Sequence, residues 1–313
     1  MGLKKLGTAL AVASAVAIVA STSAVAQLKV GFIYVGPISD HGWTYRHDVG
    51  RLAIEKAFGN KVKTSYVETV KEGADAERVI RQLASTGHGL IFTTSFGYMN
   101  PTVKVAKRFP KVKFEHATGY KRSENVSTYA ARFYEGRTVA GLIAANMTKS
   151  NIIGYIGSFA IPEVVRGINA FTLGVREINP NAEVEVIWTS TWFDPAVEGD
   201  SAQALLDKGA DVIAMHQDST AAGEKAEAAG AKWVSYNSNM SAFAPYAYLT
   251  APVWNWGPRY VEIIEAAQAG TYTPGSYWGS MADGVVDLAP IAADVDSDVT
   301  AQVLAAKEAI IAG

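Results

Sequence analysis

Cysteine is missing from all 313 residues. That excludes disulfides, iron–sulfur clusters, thiolate nucleophiles and cysteine-based zinc sites. Histidine is scarce, with five residues scattered along the chain. His41 and His47 do not share a helix face, and His216 stands two residues before Asp218 at a strand end. Nothing here has the convergent ligand spacing of a metal site, so no metal and no cofactor are expected. Also missing are GxSxG, HExxH, a Walker A loop, and GxGxxG after the first apolar run. Gly154-Tyr155-Ile156-Gly157 is too short to serve as a phosphate loop. The chain is therefore expected not to be an enzyme.

A basic excess is lacking as well. The 28 Lys and Arg face 30 Asp and Glu, with no arginine-rich run. Nucleic acid is an unsuited partner on these grounds. Long apolar runs are confined to the first residues. MGLKK is a basic opening, LGTALAVASAVAIVA a short apolar core, and Ala24-Val25-Ala26 a small-x-small cleavage motif. This pattern predicts a signal peptide over residues 1–26, with the mature chain starting at Gln27. No cysteine follows, so a lipid-anchored lipoprotein is excluded. Removing Lys4 and Lys5 leaves 26 basic against 30 acidic residues, a formal charge of −4. The expected product is exported, periplasmic and monomeric.

What is present is a rhythm. LKVGFIYVG, KVKTSYVE, GLIFTTS and VKFEHATG read as strands, each followed by a helix-period or turn segment. A second series begins near Phe133, with NIIGYIGS, VEVIWTST, DVIAMHQ and KWVSYN as its strands. Strands alternating with helices imply parallel sheets covered on both faces. Two series and this length predict an α/β protein of two doubly wound lobes. The last stretch is less regular. YAYLTAPV, YWGSM and GVVDLAP read as short strands between two helices. Recrossing there would make a multi-strand hinge. The expected lobes are 27–131 with 250–272, and 132–249 with 273–313. Ligands of such folds sit beside the carboxyl ends of the strands.

Aromatic residues recur at those ends. Trp43 follows the first strand in SDHGWTY, Phe96 follows GLIFTTS, Phe133 follows the Ser127–Ala131 run, and Trp192 follows VEVIWTST. One ring in such a place is ordinary packing beneath a loop. Its repetition in both series favours a ring-lined cleft, where opposed rings would clamp a flat ligand. Polar residues accompany them: Thr44, Arg166, Asp218 and Asn237. Asp and Asn can read the donors and acceptors of a heterocycle. Asp218 before Ser219-Thr220 fits a helix N-cap equally well.

SDHGWTY, RFYEGR, NMSAFAP and VWNWG, at Ser39, Arg132, Asn239 and Val253, together resemble the basic membrane protein (BMP) family of ABC-transporter substrate-binding proteins. The resemblance implies the two-lobed type I periplasmic binding fold, a purine-type ligand, and delivery to an inner-membrane ABC permease with its ATPase. It implies that Trp43 and Trp192 are the two stacking jaws. Two departures stand out. Asn237 holds the place of a ribose-binding carboxylate, and Val253-Trp254 offers no lysine. A free nucleobase such as adenine is therefore expected over a nucleoside. A sensory protein docking on a receptor, and an exported nucleobase or nucleoside enzyme, are the alternatives.

Overall fold

The computed structural model describes Met1 and residues 27–313, so the expected signal peptide lies almost wholly outside the described residues. The first lobe opens with β1 (Leu28–Ile33), α1 (Trp43–Phe58), β2 (Val62–Val67), α2 (Ala74–Ser85), β3 (Leu90–Thr93), α3 (Met99–Ala106), β4 (Lys113–Ala117) and β5 (Val126–Ala131). The second holds α4 (Phe133–Met147), β6 (Ile152–Gly157), α5 (Pro162–Ile178), β7 (Glu183–Trp188), α6 (Pro195–Asp207), β8 (Val212–Met215), α7 (Ala221–Ala228), β9 (Lys232–Val234) and β10 (Tyr248–Thr250). The chain ends with β11 (Pro252–Trp254), α8 (Gly257–Ala269), β12 (Ser276–Gly279), β13 (Val286–Leu288) and α9 (Ser297–Ala312).

Two parallel sheets result, in the orders β12-β5-β4-β3-β1-β2 and β10-β9-β8-β6-β7. Their central strands are continuous apolar runs because helices cover both faces; β3 and β8 are buried at every residue. The helices carry matching stripes. In α2 the buried residues are Ala76, Val79, Ile80, Leu83 and Ala84, the spacing of one helical face.

The end of the chain differs from the sequence reading. YAYLTAPV is not one strand but two, split at Ala251. β10 closes the second sheet, while β11 pairs antiparallel with β13 in a separate ribbon. The YWGSM strand, β12, pairs with β5 in the first sheet. The expected boundary at 272/273 placed this strand in the second lobe, and the return crossing in fact follows Gly279. Three segments thus cross between the lobes: after β5, after β11 and after β12. The short apolar run of β12 carries no mark of which sheet edge it will join, since either edge offers the same backbone donors.

Candidate functional site

Every loop that lines the cleft leaves the carboxyl end of a strand, the position doubly wound sheets reserve for ligands. The central cavity encloses about 390 Å³, part of it open to solvent. Val35, Trp43, Ser95, Phe96 and Thr118 line it from the first lobe, and Ile161, Glu163, Trp192, His216, Asp218 and Tyr236 from the second. A larger chamber of about 980 Å³ adjoins it, sharing Phe96, Thr118 and Glu163.

Trp43 begins α1, and its position follows from Gly42. A β-carbon on Gly42 would lie 2.6 Å from the Cα and Cβ of Asp218 in the other lobe. Only glycine lets the two backbones meet there. The Trp43 amide then donates to Asp218 Oδ1 at 3.0 Å, and its indole Nε1 donates to the Thr94 carbonyl at 2.5 Å. The ring is braced edge-on by His47 at 4.5 Å, and by Phe133 and Trp256 at about 6 Å.

Trp192 comes from the opposite lobe. Its ring rests on Phe159 at 4.9 Å, and its Nε1 donates across the cleft to Glu72 Oε1 at 3.3 Å. That oxygen also accepts from Ser95 Oγ at 2.5 Å and the Gly97 amide at 2.9 Å. The carboxylate therefore ties the loop carrying Phe96 to the ring of the other lobe.

Asp218 does not cap α7. It is buried, and its Oδ1 accepts from Trp43 and from Asn237 Nδ2 at 2.7 Å. Burial raises its pKa well above the carboxylate range, helped by the charge of Asp40. Asp40 itself is raised to about 6, also by burial. Its oxygens hold the amides of Gly42, Thr44 and Tyr45, fixing the first turn of α1.

The remaining expected residues divide. Phe96 lines both chambers, and Phe133 and Arg166 line the outer one. Arg166 lies over the Trp278 ring at 5.2 Å. Thr44 and Asn237 do not line either chamber. The Thr44 hydroxyl accepts from the Gly36 amide, so its role is to hold the β1–α1 loop. Asn237 is fully buried behind Asp218, with Oδ1 accepting from Trp254 Nε1 at 2.6 Å. Its φ of +68° puts it in the left-handed region that asparagine tolerates. A residue that ends a strand is legible in sequence; the direction of its side chain is not.

Glu163, His216 and Tyr236 escaped the sequence reading as ligand-facing groups. Arg137, buried in α4, organises two of them. Its guanidinium lies 3.6 Å above the Tyr236 ring and donates to His216 Nδ1 at 3.1 Å and to the Met215 carbonyl at 2.7 Å. A cationic donor on Nδ1 leaves the proton of the neutral imidazole on Nε2. Burial first, then Arg137, holds the His216 pKa well below its ordinary value. Nε2 faces Tyr236 Oη at 3.2 Å and Glu163 Oε1 at 3.9 Å. The only sequence signal for Glu163 was its place in the first turn after a strand. Among the described residues, no group of three or more His, Asp or Glu converges as a metal site, and no helix is long and apolar enough to cross a membrane.

Two lobes, a three-segment crossing and a ring-lined cleft between them are the architecture of a receptor for a small molecule. Residues 27–312 match the family model of PnrA-like ABC transporter substrate-binding proteins, Bmp, and the chain belongs to that family. It is 55% identical over 264 residues, 84% of this chain and 75% of the relative, to a purine-binding protein of Brucella abortus. It is 40% identical over 284 residues, 91% of this chain and 72% of the relative, to a putative ABC transporter glucose-binding protein of Haloferax volcanii. An ABC transporter solute-binding protein from Aeropyrum pernix superposes with a TM-score of 0.80 at 19% identity, covering 91% of this chain and 92% of that one. These relatives are substrate-binding proteins rather than enzymes, and the fold of the neighbour is the two-lobed periplasmic binding fold expected from the sequence.

Proposed function

We propose that this chain is the extracytoplasmic receptor of an ABC importer and binds a free purine base, with adenine or hypoxanthine preferred over the nucleosides. One observation carries the reading. Trp43 and Trp192, from opposite lobes, line one narrow cavity together with Phe96, with polar side chains between them. Aromatic walls supply stacking to a flat heterocycle, at about 1–3 kcal/mol per ring. Asp218, Glu163, His216 and Tyr236 supply the edge contacts. The similarity to a purine-binding protein supports the ligand class.

The preference for the base rests on Asn237, which holds the place of a ribose-binding carboxylate yet lines neither chamber. The Asn237 amide is committed to Asp218 and Trp254, so it offers the sugar nothing. A hydroxyl buried without a partner costs about 1–3 kcal/mol. The basic n-region and the Ala24-Val25-Ala26 motif support export with cleavage before Gln27. A membrane permease and its ATPase are the partners this role requires. Mass spectrometry of small molecules released on denaturation, followed by calorimetry with adenine, adenosine and glucose, tests the reading. Adenine should bind at least about tenfold more tightly than adenosine, about 1.4 kcal/mol. Equal affinities, or capture of a sugar alone, would overturn it.

A further inference from the structure

Glu163 is unlike the other carboxyl groups of the cleft. Asp218 and Glu72 already accept several protein hydrogen bonds. Among the described residues none donates a hydrogen bond to the Glu163 carboxyl; His216 Nε2 stands 3.9 Å from its Oε1. Its side chain is mostly buried, yet it lines both chambers and stands at their junction. A carboxyl placed so is free to spend both oxygens on a ligand.

We propose, building on the purine reading above, that Glu163 determines which purine the cleft accepts: as the acid it pairs with adenine or hypoxanthine, and as the carboxylate with guanine. The chemistry follows from donor and acceptor counts. A carboxylic acid presents one O–H donor beside one acceptor; a carboxylate presents two acceptors. Adenine offers an amino donor beside a ring-nitrogen acceptor, and hypoxanthine a ring N–H beside a carbonyl. Both complement the acid. Guanine offers two adjacent donors, its ring N–H and its amino group, and complements the carboxylate.

The surroundings leave both forms within reach. Burial raises the Glu163 pKa to about 7, against the opposing charges of Arg166 and then Arg137. Arg166 stands on its own helix α5, Arg137 on α4, and Arg122 reaches the outer chamber from the first lobe. His216 and Asp218, after β8, and Tyr236, after β9, are the other titratable groups of the cavity. The buried His216 stays neutral, so it adds no cation to this balance.

The test is calorimetry of the full mature chain with adenine and with guanine at about pH 5.5, 7 and 8.5, beside Glu163→Gln. Glutamine presents an N–H donor beside a carbonyl acceptor at every pH, as the acid presents its O–H beside its carbonyl. With a pKa of about 7, the acid fraction falls about 30-fold between pH 5.5 and 8.5, which bounds the loss of adenine affinity. Adenine should weaken about tenfold or more across this range in the wild type, while guanine strengthens. Glu163→Gln should bind adenine with little pH dependence and guanine weakly throughout. A wild-type adenine-to-guanine ratio that ignores pH would overturn the proposal. So would a Glu163→Gln variant that keeps the wild-type profile, since Asp40 or Asp218 would then be the titrating group. Absence of binding to any purine, in contrast, would remove the purine reading and this proposal together.

Discussion

Trp192 can be separated into a ring and a latch, and the two parts carry different free energies. Its indole N–H reaches Glu72 Oε1 across the cleft at 3.3 Å, and the residue also lines the cavity. Trp192→Phe removes the donor and keeps an aromatic surface. A hydrogen bond to a charged acceptor contributes about 1.5–3 kcal/mol when buried. Glu72 is exposed and the distance is long, so about 1 kcal/mol is the reasonable expectation, or about fivefold in Kd. Trp192→Ala removes the ring too, adding about 1–3 kcal/mol, so its loss should be about 30-fold or more. Calorimetry with adenine measures both. A double-mutant cycle isolates the latch, because Trp192→Phe should cost nothing further in a Glu72→Ala background. Two results would refute the reasoning: Trp192→Ala binding within twofold of wild type, or Trp192→Phe costing as much with Glu72 absent as with it present.

Trp43→Ala should abolish most binding and also lower Tm, because this half-buried ring braces against His47, Phe133 and Trp256 at the edge of the core; truncating a fully buried aromatic costs about 3–5 kcal/mol, so the loss here should be smaller, and a Tm equal to wild type would refute that part. Glu115, buried in β4, has its pKa raised to about 7 by burial. Its folded state therefore holds a proton that the unfolded chain releases near pH 4.5, so its contribution to stability is full below that pH and lost as pH rises to about 7. Glu115→Gln should gain on wild type across that window by up to ~3 kcal/mol, read as converging and then crossing Tm curves; a constant difference would contradict it.

The sheets, the two lobes and the ring positions were legible because they rest on periodicity. A buried parallel strand must be an apolar run, and a residue at its carboxyl end must face the cleft region. That rule alone puts Trp43, Phe96, Phe133 and Trp192 at the cleft, whose chambers they line. The rule stops at the loop, where hydrogen bonds decide direction. Asn237 and Thr44 sit at equally promising places, yet their side chains are absorbed by Trp254, Asp218 and Gly36. Glu163 and His216 were passed over because a lone carboxyl and a lone histidine carry no spacing. The His216 ring is oriented by Arg137, seventy-nine residues before it, and only the fold brings Glu163 beside them. The destination of β12 was hidden for the same reason, since edge pairing is a property of topology and not of the strand's composition.

Gly42 offers a way to test closure without touching the ligand. It lines neither chamber, and its amide bonds only to Asp40 within its own lobe. Yet it is the point where the first lobe meets the backbone of Asp218. A methyl group there would stand 2.6 Å from Asp218 Cα, a distance that real β-carbons do not tolerate. The neighbour is backbone, which cannot swing aside as a flexible side chain would. Gly42 has φ −106°, outside the left-handed region, and the contact with Asp218 adds its own cost when the lobes are together. Forced overpacking of this kind costs about 1–3 kcal/mol. In Gly42→Ala the cost of the Asp218 contact falls on the closed arrangement, so ligand affinity should drop about 5- to 150-fold. The contact with Asp218 is lost when the lobes part, so the ligand-free Tm should move by less than the affinity does. Small-angle scattering at saturating adenine should show a particle less compact than the wild type. Normal affinity with normal compaction would mean that the lobes need not meet at Gly42 to hold their ligand. A large fall in ligand-free Tm would mean instead that the glycine serves the first lobe's own fold.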